Sequence, residues 1–329
     1  MKTLRKMLLV SIIFCLLFGC GKKTDGRTRP STDGKLQVID GQLCNKKGNP
    51  VQLQGISMYN INWYFSFINE DCYNQVSNDW HSNVIRLAMY TSGSMGYCKD
   101  GHKDQIEERI DNGINYATNA DMYVIIDWHI LDDYNPNMYI EDAKDFFDRM
   151  SLKYKDHDNV IYEICNEPNK TEWEDIKKYA NTIIPIIRNN DEDALIIVGT
   201  PVWSSDLDAP LNDPLDYDNI MYTFHFYAAS HRQEKRDVLI RACEAKLPVF
   251  VTEYGVCADT GNYPYDFDEA DIWWDTLNKY KISSCMWDLS SCPEGASMIK
   301  YGILKTSGFE YEELTDGGKW LVGKLAIEQ

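Results

Sequence analysis

From about residue 36 onward, short runs of β-branched and aromatic residues recur along the chain: "VQLQGISMY", "NVIRLAMY", "MYVIIDWHI", "VIYEICNE", "ALIIVGT", "IMYTFHFY", "PVFVTEYG" and "KISSCMWDLS". Each has the length and composition of a strand. Between most of them lie stretches whose apolar residues return every three or four positions, such as "DQIEERIDNGINYATNA", "EDAKDFFDRMSLKYK", "EDIKKYANTIIPIIRNN" and "RDVLIRACEAK". That spacing predicts amphipathic helices. Eight strand-like runs alternating with helices, without a second composition regime, predict one α/β domain, a (β/α)8 TIM barrel over residues 36–329. The stretch "SSDLDAPLNDPLDYDN" reads as more loop than helix.

In such a barrel the chemistry sits where the strands end. The second run carries Arg86 and ends in Tyr90, the third ends in Asp127-Trp128-His129, and the fourth in Asn166-Glu167-Pro168. The sixth carries His225 and Tyr227, the seventh Glu253 and the eighth Trp287. Titratable and aromatic groups therefore converge on one rim. Alternation places Glu163, Cys165 and Glu167 on one face of the fourth strand, with Glu163 about 13 Å below the exit. A carboxylate that deep needs a buried partner, so Glu163 reads as structural and Glu167 as chemical. Cys165 reads as a small buried hydrophobe. Glu253 supplies a second carboxylate. A carboxylate pair at an aromatic-lined barrel mouth suits glycosidic bond cleavage, where one group protonates the leaving oxygen and the other attacks or stabilises the sugar carbon.

The N-terminus adds a second theme. "MKTLRK" followed by "MLLVSIIFCLLF" has the form of a signal peptide, residues 1–19, and "LFGC" resembles a bacterial lipobox that would expose Cys20 for lipidation. Residues 20–35, small and polar, read as a flexible tether. An extracytoplasmic protein follows, anchored by lipid to a bacterial membrane or cell surface, or otherwise secreted. The formal charge of −18 argues against nucleic acid as a partner. Export permits disulfides among the cysteines beyond Cys15 and Cys20; Cys257, Cys285 and Cys292 are expected near one another at one end of the fold, with no pairing assigned.

Taken together, "VIYEICNEP", "VFVTEYG", "RLAMY", "VIIDWHI" and "YTFHFYA" resemble family 5 glycoside hydrolases, specifically the bacterial endoglucanase (cellulase) branch. The likeness runs in order from "KGNPVQLQGIS" to "SSCMWDLS". It implies a retaining endo-1,4-β-glucanase acting on cellulose or a related β-glucan, with Glu167 as acid/base, Glu253 as nucleophile and their carboxyls about 5–5.5 Å apart. It implies that Arg86 and Tyr227 orient Glu253, and that the charge of Glu253 raises the pKa of Glu167. Asn166 would bond the sugar 2-hydroxyl. His129, His225 and Tyr90 would line the floor, with Trp287 as the platform for the reacting sugar and Trp63 and Trp203 as flanking platforms. Trp80, Trp128, Trp173, Trp273, Trp274 and Trp320 are expected to pack.

The chain departs from the branch at the sugar-binding rim. Tyr59-Asn60 stands where His-Gly is usual, Cys292 replaces a lysine two residues before Glu294, and Tyr254 follows the nucleophile where tryptophan is common. Tyr59 and Glu294 remain candidate sugar contacts. A β-mannanase, xylanase or mixed-linkage glucanase on the same scaffold is the alternative within the class, and a non-catalytic glycan-binding lipoprotein the alternative outside it. No cofactor is implied, and His129 and His225 lack a third ligand for a metal. The chain is expected to act as a monomer.

Overall fold

The structure, a computed structural model, describes residues 26–99 and 101–327. Eight parallel strands close into a barrel: β1 (Gln54–Met58), β2 (Val84–Tyr90), β3 (Tyr123–His129), β4 (Val160–Glu163), β5 (Ile196–Val198), β6 (Ile220–Tyr227), β7 (Val249–Gly255) and β8 (Ser284–Leu289), with β8 pairing back to β1. The principal helices are α1 (Glu70–Asn78), α2 (Lys103–Asn119), α3 (Ile140–Tyr154), α4 (Trp173–Asn190), α5 (Asp208–Asn212), α6 (Gln233–Glu244), α7 (Phe267–Lys279) and α8 (Asp316–Ile327). The expected TIM barrel is therefore present. The stretch expected as mostly loop holds only the single turn of α5.

Local sequence explains the helices. In α4, Ile176, Tyr179, Ala180, Ile183, Ile184 and Ile187 are the buried positions. Their three- and four-residue spacing lays one apolar stripe on the barrel, and each large aliphatic side chain so buried contributes roughly 1.5–3 kcal/mol. α1 starts where Asn69 accepts a hydrogen bond from the Cys72 amide, and α7 where Asp266 accepts from the Glu269 amide. Both are side-chain N-caps that satisfy otherwise orphaned donors. Trp80, Trp128, Trp273 and Trp274 are buried, and Trp173 and Trp320 pack against the same core, as expected.

The barrel interior is stacked in layers. At the bottom Leu53, Val84, Ile125, Ile161, Ile197 and Phe250 form an apolar plug. Above it Ser57, Arg86, Asp127, Glu163, Thr223 and Thr252 are all fully buried polar groups. Ala88, Tyr227, Cys257 and Trp287 cluster at the top. Inward residues thus repeat every second position, as a pleated strand requires.

Two strands break that rhythm. β4 ends at Glu163, and Cys165 joins the apolar shell that contains the helix contacts, so it does not share a face with Glu163. It is buried, as expected, but beyond the strand. In β7 the register against β6 moves from Thr223–Phe250 to His225–Glu253, and against β8 from Ser284–Val251 to Met286–Tyr254. β7 therefore spends three steps where both neighbours spend two. This bulge turns the consecutive residues Thr252 and Glu253 both into the barrel.

The floor of the barrel is closed by a small antiparallel hairpin, Gln37–Ile39 with Gln42–Cys44, whose Leu43 packs into the plug. The expectation of a flexible tether does not hold for residues 26–35. Arg27 donates to the Ser77 carbonyl at 2.7 Å, Ser31 bonds Asp121 at 2.6 and 2.9 Å, Asn45 bonds Asp33 at 2.8 Å, and Lys35 pairs with Asp191. Cys20 and the expected signal peptide lie outside the described residues. Among the described residues the cysteines are free thiols; Cys257 sits in the top cluster and Cys285 in the bottom plug, so the three expected together are split. No helix among the described residues is long and apolar enough to cross a membrane.

Candidate active site

Arg86 organises the charged layer. Nε and Nη2 donate to the two oxygens of Glu163 at 2.7 and 3.2 Å, and Nη1 to Glu253 Oε2 at 3.1 Å. Nη2 also reaches Asn166 Oδ1 at 2.6 Å and Asp127 Oδ2 at 2.9 Å. Burial alone would lower the guanidinium pKa, but the charges of Asp127, Glu163 and Glu253 outweigh it and hold it well above its usual range. One fixed cation thus serves three carboxyl groups. Glu163 has the deep partner expected of it.

Glu253 enters from the β7 bulge with 5 % exposure. Its second oxygen accepts from the Tyr227 hydroxyl at 2.7 Å, so Arg86 and Tyr227 do hold the two oxygens of this carboxylate. Burial first and the nearby Glu253 next keep the Tyr227 phenol far above its ordinary value, so it stays neutral and donates.

Glu167 follows β4 and keeps 12 % side-chain exposure at the mouth. Its Oε1 lies 2.7 Å from His225 Nδ1. An oxygen of Glu167, an oxygen of Glu253 and a nitrogen of His225 all lie within 4.8 Å of one another. Burial pushes the Glu167 carboxyl up to about 8; Arg86 opposes this, and Asp127 and Glu163 add to it. The expectation that the Glu253 charge does this work is corrected: burial leads, and the deeper acids assist. Burial also drives His225 down to about 4 and His129 down to about 3, so both imidazoles are neutral near pH 7.

The same trio could in principle receive a cation. Yet both Glu253 oxygens and the His225 nitrogen facing Glu167 already hold hydrogen bonds within the protein, which a metal would have to break.

Around this centre the aromatic residues divide by exposure. His129 stacks between Tyr90, at 4.2 Å between centroids, and Trp287, at 5.4 Å. Its Nδ1 meets Asp127 at 2.6 Å. Tyr59 packs edge-on to Trp63 and tilts over Trp287. Trp63 and Trp203 are 47 % and 50 % exposed. Trp203 lines a recess of about 470 Å³ together with Glu167, His225 and Tyr227, and Trp63 one of about 490 Å³ with Tyr90. Both are open to a ligand. Glu294 is half-buried beside Asp288: burial and then the neighbouring Glu294 push the Asp288 carboxyl well up, whereas burial raises Glu294 and its hydrogen bond with Asp288 opposes that rise. Asn166 is fully buried: beyond Arg86, its amide donates to the Ile130 carbonyl at 3.1 Å and faces His129 Nε2 at 3.3 Å. Its polar atoms already have protein partners.

Trp203 stands on an unusual backbone. Val202, Trp203 and Ser204 all have φ between 52° and 58°, a left-handed turn of non-glycine residues. The Trp203 amide donates to the Pro168 carbonyl at 3.1 Å and Ser204 Oγ to the Asn166 carbonyl at 2.6 Å. The turn thus grips the chain on both sides of Glu167.

Sequence reading missed two residues. Asp127 was visible as a strand end, but its place between Arg86 and His129 had no signal in the sequence. Thr252 contacts both His225 and Glu163, at 2.9 and 2.7 Å. Strict alternation would turn it outward once Glu253 faces in.

Residues 44–292 match the family model of the cellulases, glycosyl hydrolase family 5. The chain is 48% identical to endoglucanase A of Butyrivibrio fibrisolvens, over 89% of this chain and 69% of that protein. It is 42% identical to an endoglucanase of Clostridium saccharobutylicum, over 94% and 69%. The catalytic domain of a Thermobifida fusca endoglucanase, solved in complex with cellotetraose, superposes with a TM-score of 0.86 at 36% identity, covering 91% of this chain and all of that domain.

Proposed function

The chain belongs to glycosyl hydrolase family 5, the cellulases, and from that premise we infer that it is a retaining endo-1,4-β-glucanase with Glu253 as nucleophile and Glu167 as acid/base. The observation that supports this reading most is the carboxylate gap, within 4.8 Å. It leaves no room for the intervening water of an inverting enzyme, whose carboxyls stand about 6.5–9.5 Å apart.

In the first step Glu253 Oε attacks the anomeric carbon as the bond to the leaving oxygen breaks, and the Glu167 proton passes to that oxygen. In the second, water replaces Glu253 on the same carbon and gives its proton to Glu167, restoring both groups. Arg86 and Tyr227 aim the nucleophile. Trp287, His129, Tyr90 and Tyr59 line the reacting sugar's side, Trp63 and Trp203 carry the chain to either side, and Glu294 stands at the rim. Asn166 holds Arg86 and, on this reading, meets the sugar 2-hydroxyl by exchanging a protein partner for it. The substrate is a β-glucan chain.

Glu253→Gln keeps the shape and removes the nucleophile. Hydrolysis of soluble β-glucan is expected to fall by at least about 10³-fold with oligosaccharide binding retained; near-normal release of reducing ends would overturn the assignment. Wild-type activity is expected to be led by carboxymethylcellulose and mixed-linkage glucan over glucomannan and xylan. We further propose that Cys20 carries a lipid that tethers the protein to a bacterial membrane. Cys20→Ala is then expected to release it into the soluble fraction, and unchanged membrane retention would refute the anchor.

A further inference from the structure

Below Glu167 runs a string of hydrogen bonds that the two-step reaction does not by itself require. Glu167 Oε1 meets His225 Nδ1 at 2.7 Å, His225 Nε2 meets Thr252 Oγ1 at 2.9 Å, and Thr252 Oγ1 meets Glu163 Oε1 at 2.7 Å. Thr223 Oγ1 also closes on Thr252 Oγ1. All four inner residues are buried.

Donor and acceptor counting fixes every proton in the string. Glu163 receives the Arg86 fork on both oxygens and is therefore an acceptor. Thr252 has one hydroxyl proton and spends it on Glu163, so toward Thr223 and His225 it can only accept. His225 Nε2 must then carry a proton. Because His225 is neutral, its Nδ1 is a bare lone pair. A lone pair facing a carboxyl oxygen makes a hydrogen bond only if the carboxyl supplies the proton.

We propose that Thr252 and Glu163 are positioning residues that lock His225 in the Nε2–H tautomer, so that its bare Nδ1 keeps Glu167 in the proton-bearing form the first step needs. This rests on the reading of Glu167 as acid/base. After Glu167 has given its proton to the leaving oxygen, carboxylate and lone pair face each other, and their repulsion favours taking a proton back from the attacking water. The same lock thus serves both halves of the reaction. The other ionisable groups facing the string are Arg86, Asp127, Glu253, Tyr227 and His129, none of which supplies a proton to Nδ1.

The test reads the proton directly. In the ¹⁵N-histidine-labelled protein, with the His225 signals assigned by their loss in His225→Gln, long-range ¹H–¹⁵N correlation near pH 6 is expected to show a protonated Nε2 and a bare Nδ1. A protonated Nδ1 would overturn the proposal without reference to activity. Thr252→Val, nearly the same shape, frees the ring to donate from Nδ1 and so favours ionised Glu167. Its kcat/KM on unactivated cello-oligosaccharide is expected to fall about tenfold, with the basic limb of the pH profile moved down, while dinitrophenyl cellobioside, whose leaving group needs no acid, changes by less than about twofold. Thr252→Ser is expected to restore both. Equal losses on the two substrates with an unmoved limb would mean that Thr252 only fills space, and the lock would fall. Glu167→Gln separates the premises: if it spares the unactivated substrate, the acid assignment fails, whereas loss of that activity in Glu167→Gln together with an Nδ1–H on His225 of the unsubstituted protein defeats the lock alone.

Discussion

At the scale of single residues, the site is governed by one cation shared among three carboxyls and by burial. These set a pH range. As the proposed acid, Glu167 has to be protonated, and its pKa is raised to about 8. kcat/KM is therefore expected to be steady below that value and to fall as pH rises through about 8, as measured on cello-oligosaccharides across pH 5–10. Stability follows the same sign. A raised carboxyl stabilises the fold below its unfolded pKa, and that contribution is lost as pH climbs from about 4 toward 8. His129 and His225, depressed to about 3 and about 4, act on the other flank. Their contribution is present above about 6.5 and is lost as pH falls through the depressed values.

At the scale of elements, the sequence was readable wherever a period was intact. Apolar recurrence predicted the strands and helices, and strand ends predicted Arg86, Glu167, Tyr227 and Glu253 in one place. Legibility stopped where the period breaks. Nothing in "PVFVTEYG" marks the extra residue of the β7 bulge, so Thr252 went unnoticed; nothing in "VIYEICNEP" marks the end of β4 at Glu163, so Cys165 read as sharing a face with Glu163 and Glu167. The resemblance pointed from Arg86 to Glu253, but its contacts with Glu163 and Asp127 had no signal until the strands were closed into a barrel. The left-handed turn at Val202–Ser204 is a third such break. A β-branched residue at φ 58° costs about 1–2 kcal/mol over glycine. Glycine's extra unfolded-state freedom offsets roughly 0.5–1 kcal/mol of that. Val202→Gly, at an exposed position, is expected to leave the melting temperature equal or higher by thermal denaturation. A clear drop would mean that the Val202 side chain makes a contact worth more than the strain.

At the scale of the whole molecule, the fold separates two ends. The strands' C-terminal ends carry every proposed catalytic group, while their N-terminal ends are covered by the hairpin and by residues 26–35. A chain beginning at Leu36 would lose the bonds of Arg27, Ser31 and Asp33 to the barrel. Taken at about 1 kcal/mol each, they lower stability by roughly 2–3 kcal/mol. That corresponds to several degrees of melting temperature relative to a chain beginning at Gly26, with turnover at 25 °C unaltered. Equal melting curves would show the segment to be ornamental. The docking of that segment also fixes a direction. Anything joined upstream of Gly26 leaves from the floor of the barrel, so a surface that holds the protein by its first residues receives it upright, cleft outward. The barrel's own height then separates the cleft from whatever holds the first residues.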